Sequence, residues 1–323
     1  MDAVARSWFD ACTFHAADFA LDALLEARER AGDMISVVIP AHNEASTVAD
    51  VVSQIATGLV EPGLVDEVVV IDSDSTDDTA DVARRAGAIV YAARDIETGT
   101  EPVPGKGEAL WKSLFVTTGD LLVFIDADLT RWGPHFVTGL LGPLLMNENT
   151  QLVKGFYDRL LDDQPDGPDG NPQGGRVTEL CARPLLNLYW PQLSAVVQPL
   201  AGEWAIRRRV FDSLSIPVGY GIEFATLTDV WAANGLDAVA QVDLGERGHR
   251  HQGVHDLGVM AAEILATAMR RLPGGCTPTE PAGRLQQYDR SAPTGWIGRS
   301  FPTLERPPAR SVTGYRTGAA CSN

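Results

Sequence analysis

Asp126 and Asp128 stand one residue apart where the apolar run 121–125 of LLVFIDADLT ends. Alternate side chains of an extended segment share a face, so the two carboxylates would lie together, with Ala127 opposite. Magnesium or manganese takes hard oxygen ligands, and it usually keeps one or two carboxylates and fills its shell with phosphate oxygens. The spacing therefore suits a cation completed by a bound diphosphate. The alternative is that both acids merely close a strand and open a turn, where aspartate is common.

Other clusters bear on that choice. Pro40, Ala41, His42, Asn43 and Glu44 follow one β-branched run, and Asp72 to Asp78 follow another. In the second, Ser75 or Thr76 can cap a helix that Asp77 and Asp78 favour through its dipole, leaving Asp72 and Ser73 for a ligand. Lys106 lies between Gly105 and Gly107, where the backbone could approach a diphosphate; otherwise it is an exposed turn lysine. Gly175, Arg176, Val177 and Thr178 open a helical pattern, an arrangement suited to a phosphate or carboxylate unless Arg176 pairs with a nearby acid. Tyr220, Gly221, Ile222 and Glu223 precede a helix, and Arg247, Gly248, His249, Arg250 and His251 follow a strand. A single histidine is more often structural, but His249 could join Asp128 on a cation while the arginines neutralise phosphates.

The elements that must position these residues alternate. Strands are predicted at 35–39, 67–71, 88–91, 121–125 and 238–244, and helices at 46–55, 76–85 and 108–117, from β-branched runs and 3.6-residue spacing. Such alternation predicts an α/β fold with a mostly parallel sheet flanked by helices, binding ligands beyond the carboxyl ends of its strands. Residues 1–33 read as a helical lead-in, 34–160 as a nucleotide-binding half and 161–272 as a second half. Within the second half, 161–173 reads as a long, mobile loop. Residues 273–323, rich in Pro, Gly, Ser and Thr, read as a poorly ordered tail without chemistry. The turns lack GxGxxG and GxxxxGK[ST], which excludes the usual dehydrogenase and P-loop readings.

A net charge of -17 argues against a nucleic-acid partner, so an anionic substrate needs a local basic pocket. Cys12, Cys181, Cys276 and Cys321 have no metal or redox spacing and read as free thiols of a cytoplasmic protein. No apolar run is of membrane length.

From about 35 to 251, the chain resembles the glucosyl-3-phosphoglycerate synthases, retaining glycosyltransferases of GT-A fold. The resemblance runs through VVIPAHNEAST, DSDSTDDTA, PGKGEALWKS, VFIDADL, GGRVTEL, QPLAGE, GYGIE and RGHRH. GKGEALW with GGRVTEL is its most specific part. The resemblance implies a UDP-glucose site formed by Pro40, Ala41, His42, Glu44, Ser73, Lys106, Asp126, Ala127, Tyr220, Gly221, Ile222, Glu223 and Arg247. It places Mg2+ or Mn2+ on Asp128 and His249, and 3-phosphoglycerate on Gly175, Arg176, Val177, Thr178 and His251. It puts Glu223, Asp128 and Leu200 among the catalytic positions and implies a homodimer. The implied reaction moves glucose to the 2-hydroxyl of 3-phosphoglycerate with retention, the leaving phosphate taking the acceptor's proton while Glu223 positions glucose. The chain departs from the family at His42, where relatives carry an apolar residue, and at His251, where they carry asparagine. Alternatives are mannosyl-3-phosphoglycerate synthesis, transfer to a polyprenyl phosphate or another small acceptor, sugar-1-phosphate nucleotidyl transfer, and a nucleotide-sugar-binding regulator.

Overall fold

The computed structural model describes residues 3–161, 175–249, 253–275 and 282–315. Outside them lie His251, Cys276, Cys321 and all but the first residue of the loop expected at 161–173. Eight strands form one sheet: β1 Thr13–His15, β2 Ile35–Ala41, β3 Glu67–Asp72, β4 Ile89–Ala92, β5 Leu121–Phe124, β6 Leu152–Leu161, β7 Trp204–Arg207 and, after the short β8 Ile216–Pro217, β9 Val239–His249. Their order is β1-β9-β6-β7-β5-β2-β3-β4. All neighbours are parallel except β7, which runs antiparallel to both β5 and β6. The mostly parallel sheet read from the sequence is therefore present.

Burial on both faces explains why the strands read as unbroken apolar runs. Val38, Val69, Leu122 and Phe124 point into a core with Trp111 and Phe224. Their neighbours Val37, Val70, Leu121 and Val123 point the other way, against Val51, Val52 and Ile55 of the Val48–Ile55 helix. The chain leaves β2 for β3 on one side and returns with β5 on the other. This reversal places the turns after β2 and β5 beside a crevice, the usual ligand position of an open α/β sheet.

Three expectations need correction. The helical lead-in is interrupted by β1, which joins the central sheet beside β9, and Trp8 Nε1 donates to the Val239 carbonyl oxygen at 2.8 Å. Neither Ser75 nor Thr76 starts the next helix, which spans Thr79–Arg85; Asp77 accepts from the Thr79 N–H at 3.0 Å. Instead, the Thr76 N–H donates at 2.8 Å to Oδ1 of Asn43, a residue held at φ 58°. Asparagine tolerates this left-handed conformation, and here it ties the turn after β2 to the turn after β3.

The tail is the third correction. β10 Ala282–Tyr288 and β11 Trp296–Pro302 form an antiparallel hairpin, and β12 Glu305–Arg306 pairs with β8. Arg306 lies buried on Glu108, with Nε 2.6 Å from Oε2 and Nη2 2.9 Å from Oε1. Its guanidinium also covers the Trp111 ring at 5.4 Å. The anchor is a buried charge pair between remote segments, a contact that hydrophobic periodicity does not register. Arg306→Ala should lower unfolding stability by about 3 kcal/mol in denaturant titration, since it strands a buried carboxylate. Lys112, 3.6 Å from Glu108, keeps the loss from being larger. A change below about 1 kcal/mol would reduce the pair to the value of a surface contact.

Candidate active site

A cleft of about 500 Å³ opens at the crevice. Pro40, Ala41, His42 and Glu44 reach it from the end of β2, Ser73 from the end of β3, and Asp126, Ala127 and Asp128 from the end of β5. Lys106, Leu200, Tyr220, Glu223 and Arg247 also line it, as do Gly175, Arg176, Val177 and Thr178. Apart from Gly221, Ile222 and His251, which lies outside the described residues, the sequence-derived donor and acceptor residues thus line one volume. Gly221 and Ile222 do not line it: Ile222 lies in the core, and Gly221 packs against the Thr267 side chain. Asp72 also stays off the lining, its Oδ1 buried without a hydrogen-bond partner among the described residues. The His249 backbone pairs with Leu161 at the end of β9, while its side chain lies outside what is described.

Lys106 and Arg247 organise the carboxylates. Lys106 Nζ stands 2.7 Å from Asp126 Oδ1 and 2.9 Å from Glu223 Oε1. Arg247 Nη2 stands 3.0 Å from Asp126 Oδ2 and 2.9 Å from Asp128 Oδ1. Asp126 and Asp128 converge as their spacing suggests, although both lie beyond the end of β5. Burial alone would raise the Asp126 pKa, but Lys106 and Arg247 overcome it and hold the carboxyl well below the usual range. Burial would lower the Lys106 pKa, and Asp126 and Glu223 instead keep that ammonium firmly charged. Behind Arg247, the Tyr157 hydroxyl donates to Glu203 Oε2 at 2.5 Å and accepts from Arg247 Nη1 at 3.2 Å. Burial pushes the Glu203 carboxyl upward despite Arg247.

Backbone approach sets these positions. A Cβ on Gly105 or Gly107 would collide with the carbonyl oxygens of Val218 and Pro217. The two glycines therefore admit the 217–219 backbone, and Gly105 also lines the cleft beside Lys106. That contact seats the start of the Lys106–Ser113 helix against the segment leading to Tyr220 and Glu223. Gly202 likewise has no room for a Cβ because the Asp126 carboxylate lies against it. From the Val254–Arg271 helix, Glu263 Oε2 accepts the Tyr220 N–H at 2.6 Å, and burial pushes the Glu263 carboxyl up to about 7.

Sequence reasoning missed five side chains of the lining: Pro104, Arg159 on β6, and Leu257, Met260 and Ile264 on the Val254–Arg271 helix. The helical residues are spaced by three and four, so a stripe was visible, but nothing local told its cleft-facing side from a core-facing one. Arg159 has no local signal at all.

The donor set fits a hard divalent cation. Asp128 opens an oxygen ligand to the cleft beside the proposed diphosphate region, and no group of three His, Cys, Asp or Glu side chains suited to a metal occurs among the described residues. A cation at Asp128 would then rely on substrate phosphate for much of its shell, as magnesium and manganese commonly do.

Residues 36–212 match the model of Glycosyl transferase family 2. The glucosyl-3-phosphoglycerate synthase of Mycobacterium tuberculosis (strain CDC 1551 / Oshkosh) is 44% identical over 287 residues, covering 87% of this chain and 86% of that one. A crystal structure of the M. tuberculosis synthase in complex with Mn2+, UDP-glucose and phosphoglyceric acid matches with a TM-score of 0.79 and 41% identity, covering 91% of this chain and 95% of that one. Mannosyl-3-phosphoglycerate synthase from Rubrobacter xylanophilus matches with a TM-score of 0.83 and 35% identity, covering 96% and 98%. With these likenesses over most of its length, the chain belongs to glycosyl transferase family 2 and, within it, to the glucosyl-3-phosphoglycerate synthase family.

Proposed function

We propose that the protein transfers glucose from UDP-glucose to the 2-hydroxyl of 3-phosphoglycerate with retention. The observation that carries this reading is the single cleft in which Lys106, Asp126, Asp128 and Glu223 face the Gly175–Thr178 turn with its Arg176. The M. tuberculosis structure with Mn2+, UDP-glucose and phosphoglyceric acid supports the substrate pair. Mannosyl transfer is the second reading, favoured by the TM-score of the Rubrobacter enzyme. The 41% identity of the glucosyl enzyme's structure against 35% for the mannosyl enzyme's tips the choice to glucose.

In this scheme the residues mainly bind and orient. Pro40 to Glu44, Ser73 and Lys106 take the nucleotide, Tyr220 and Glu223 surround the glucose, and Leu200 completes the catalytic positions. Lys106, tied to both Asp126 and Glu223, couples the nucleotide side to the sugar side. Gly175 to Thr178, with His251, hold the phosphoglycerate, and orientation of both substrates in one cleft lowers the entropic part of the barrier. A divalent cation on Asp128 and His249, when bound, stabilises charge building on the departing UDP. The reading includes a homodimer, consistent with the exposed Leu180, Leu188 and Tyr189. It also includes a cytoplasmic location, consistent with the free thiols of Cys12 and Cys181.

A coupled assay for nucleoside diphosphate release over UDP-glucose, GDP-mannose, 3-phosphoglycerate and lipid phosphate tests the assignment. Highest turnover is expected with UDP-glucose, 3-phosphoglycerate and Mn2+ or Mg2+; preference for GDP-mannose would favour the second reading. Asp128→Ala should cut metal-dependent kcat about a hundredfold or more. Undiminished turnover would remove Asp128 from the cation site.

The sugar turn adds a pH-dependent component to stability. The Glu263 carboxyl titrates near 7 in the fold, well above its unfolded value. Its contribution is therefore complete below the unfolded pKa and is lost as pH rises through about 7. Wild-type Tm should fall over that range by more than that of Glu263→Gln, measured by thermal melts at successive pH values. Equal slopes would remove Glu263 as the cause.

A further inference from the structure

Arg159 is an arginine of the cleft that the proposed chemistry does not use. It stands on β6 with its backbone in register with Arg247 on β9, one parallel strand away. The two guanidinium carbons lie 5.4 and 5.5 Å from the centroid of the same Tyr157 ring. Their partners differ sharply. Arg247 reaches Asp126, Asp128 and Glu203, with Nε 3.5 Å from Glu203 Oε1. Arg159 forms no ion pair with the described residues. Its one side-chain hydrogen bond among them is a long one of 3.5 Å from Nη2 to the Tyr157 hydroxyl, and its Nε is buried without a partner. It nevertheless lines the cleft together with Asp126, Asp128 and Arg176, and it helps to lower the Asp126 pKa.

A half-buried guanidinium beside a second one is costly unless an anion lies close, and its planar donor fork suits phosphate oxygens. In a chain of net charge -17, carboxylates are abundant, yet among the described residues Asp126 acts on Arg159 only through space and none forms an ion pair with it. We propose that Arg159 is a substrate-binding residue that takes a phosphate group of a bound substrate, either the diphosphate of the donor or the phosphoester of the acceptor. Arg247 keeps the aspartates in place, while the Arg159 fork meets the incoming charge. The proposal rests on the transferase reading for the identity of the two substrates.

Calorimetric binding to the full chain tests it without requiring turnover. Wild type, Arg159→Gln and Arg159→Lys are titrated with UDP and Mn2+, then with 3-phosphoglycerate and with glycerate, which lacks the phosphate, in the presence of UDP and Mn2+. Loss of a charge-assisted contact should weaken one ligand about tenfold or more. A diphosphate role raises the Kd for UDP and leaves the preference for 3-phosphoglycerate over glycerate intact. An acceptor role collapses that preference and leaves UDP affinity unchanged. In either case Arg159→Lys should retain part of the affinity, since it keeps the charge but loses the fork. If Arg159→Gln does not fold, a severalfold change in the same constant for Arg159→Lys supports the proposal. UDP affinity and phosphate preference both within about twofold of wild type would overturn it and leave Arg159 a structural residue. Failure of the wild type to turn over UDP-glucose and 3-phosphoglycerate would instead count against the transferase reading, while the titrations still judge Arg159.

Discussion

The pairing of Asp126 with both Lys106 and Arg247 is the interaction on which the site depends. Asp126 alone would resist ionising in so enclosed a place, and each cation would resist staying charged. Together they hold one another in the charged state. The cations extend the arrangement outward, Lys106 to Glu223 on the sugar side and Arg247 to Asp128 at the cleft and Glu203 beneath it. Such a network is stable only while its members remain paired, because removing one partner leaves a buried charge exposed to the low-dielectric interior. It therefore fixes geometry as much as charge.

Four remote segments converge to build that pairing. Asp126 comes from the end of β5, Lys106 from a helix start, Arg247 from β9 and Glu223 from the start of the Ile222–Asn234 helix. Gly105 and Gly107 allow two of these segments to touch backbone to backbone. Glu263 holds the Tyr220 N–H from one side, and Arg306 clasps the Lys106–Ser113 helix from another. The last two residues lie C-terminal to the 36–212 family match, so the later chain supports a site whose nucleotide side lies earlier.

Long apolar strands were legible because β2, β3 and β5 are buried on both faces and are largely apolar runs, β-branched in β2 and β3. β6 and β7 were not. β6 carries Lys154, Asp158 and Arg159, and β7 has four residues, so neither presents a clean period. The tail escaped for a related reason: β12 is two residues long and is held by Arg306, whose partner Glu108 lies 198 positions away. Lys106 was recognised as a site residue, but the contact of its flanking glycines with the 217–219 backbone was not, since spacing along the chain does not record which remote segment packs there.

By itself the sequence determined the α/β class, the turns that bear the chemistry and most of the side chains that line the cleft. Local chemistry suffices there, because strand periodicity places such turns at the sheet's carboxyl edge and the motifs sit within a few residues of each strand end. Only the tertiary structure decided which charges neutralise one another. Arg247 became the partner of Asp126 and Asp128, Arg159 was left without an ion pair among the described residues, and Ile222 turned into the core. Those outcomes depend on which strands become neighbours and where their side chains meet, and no spacing along the chain records that.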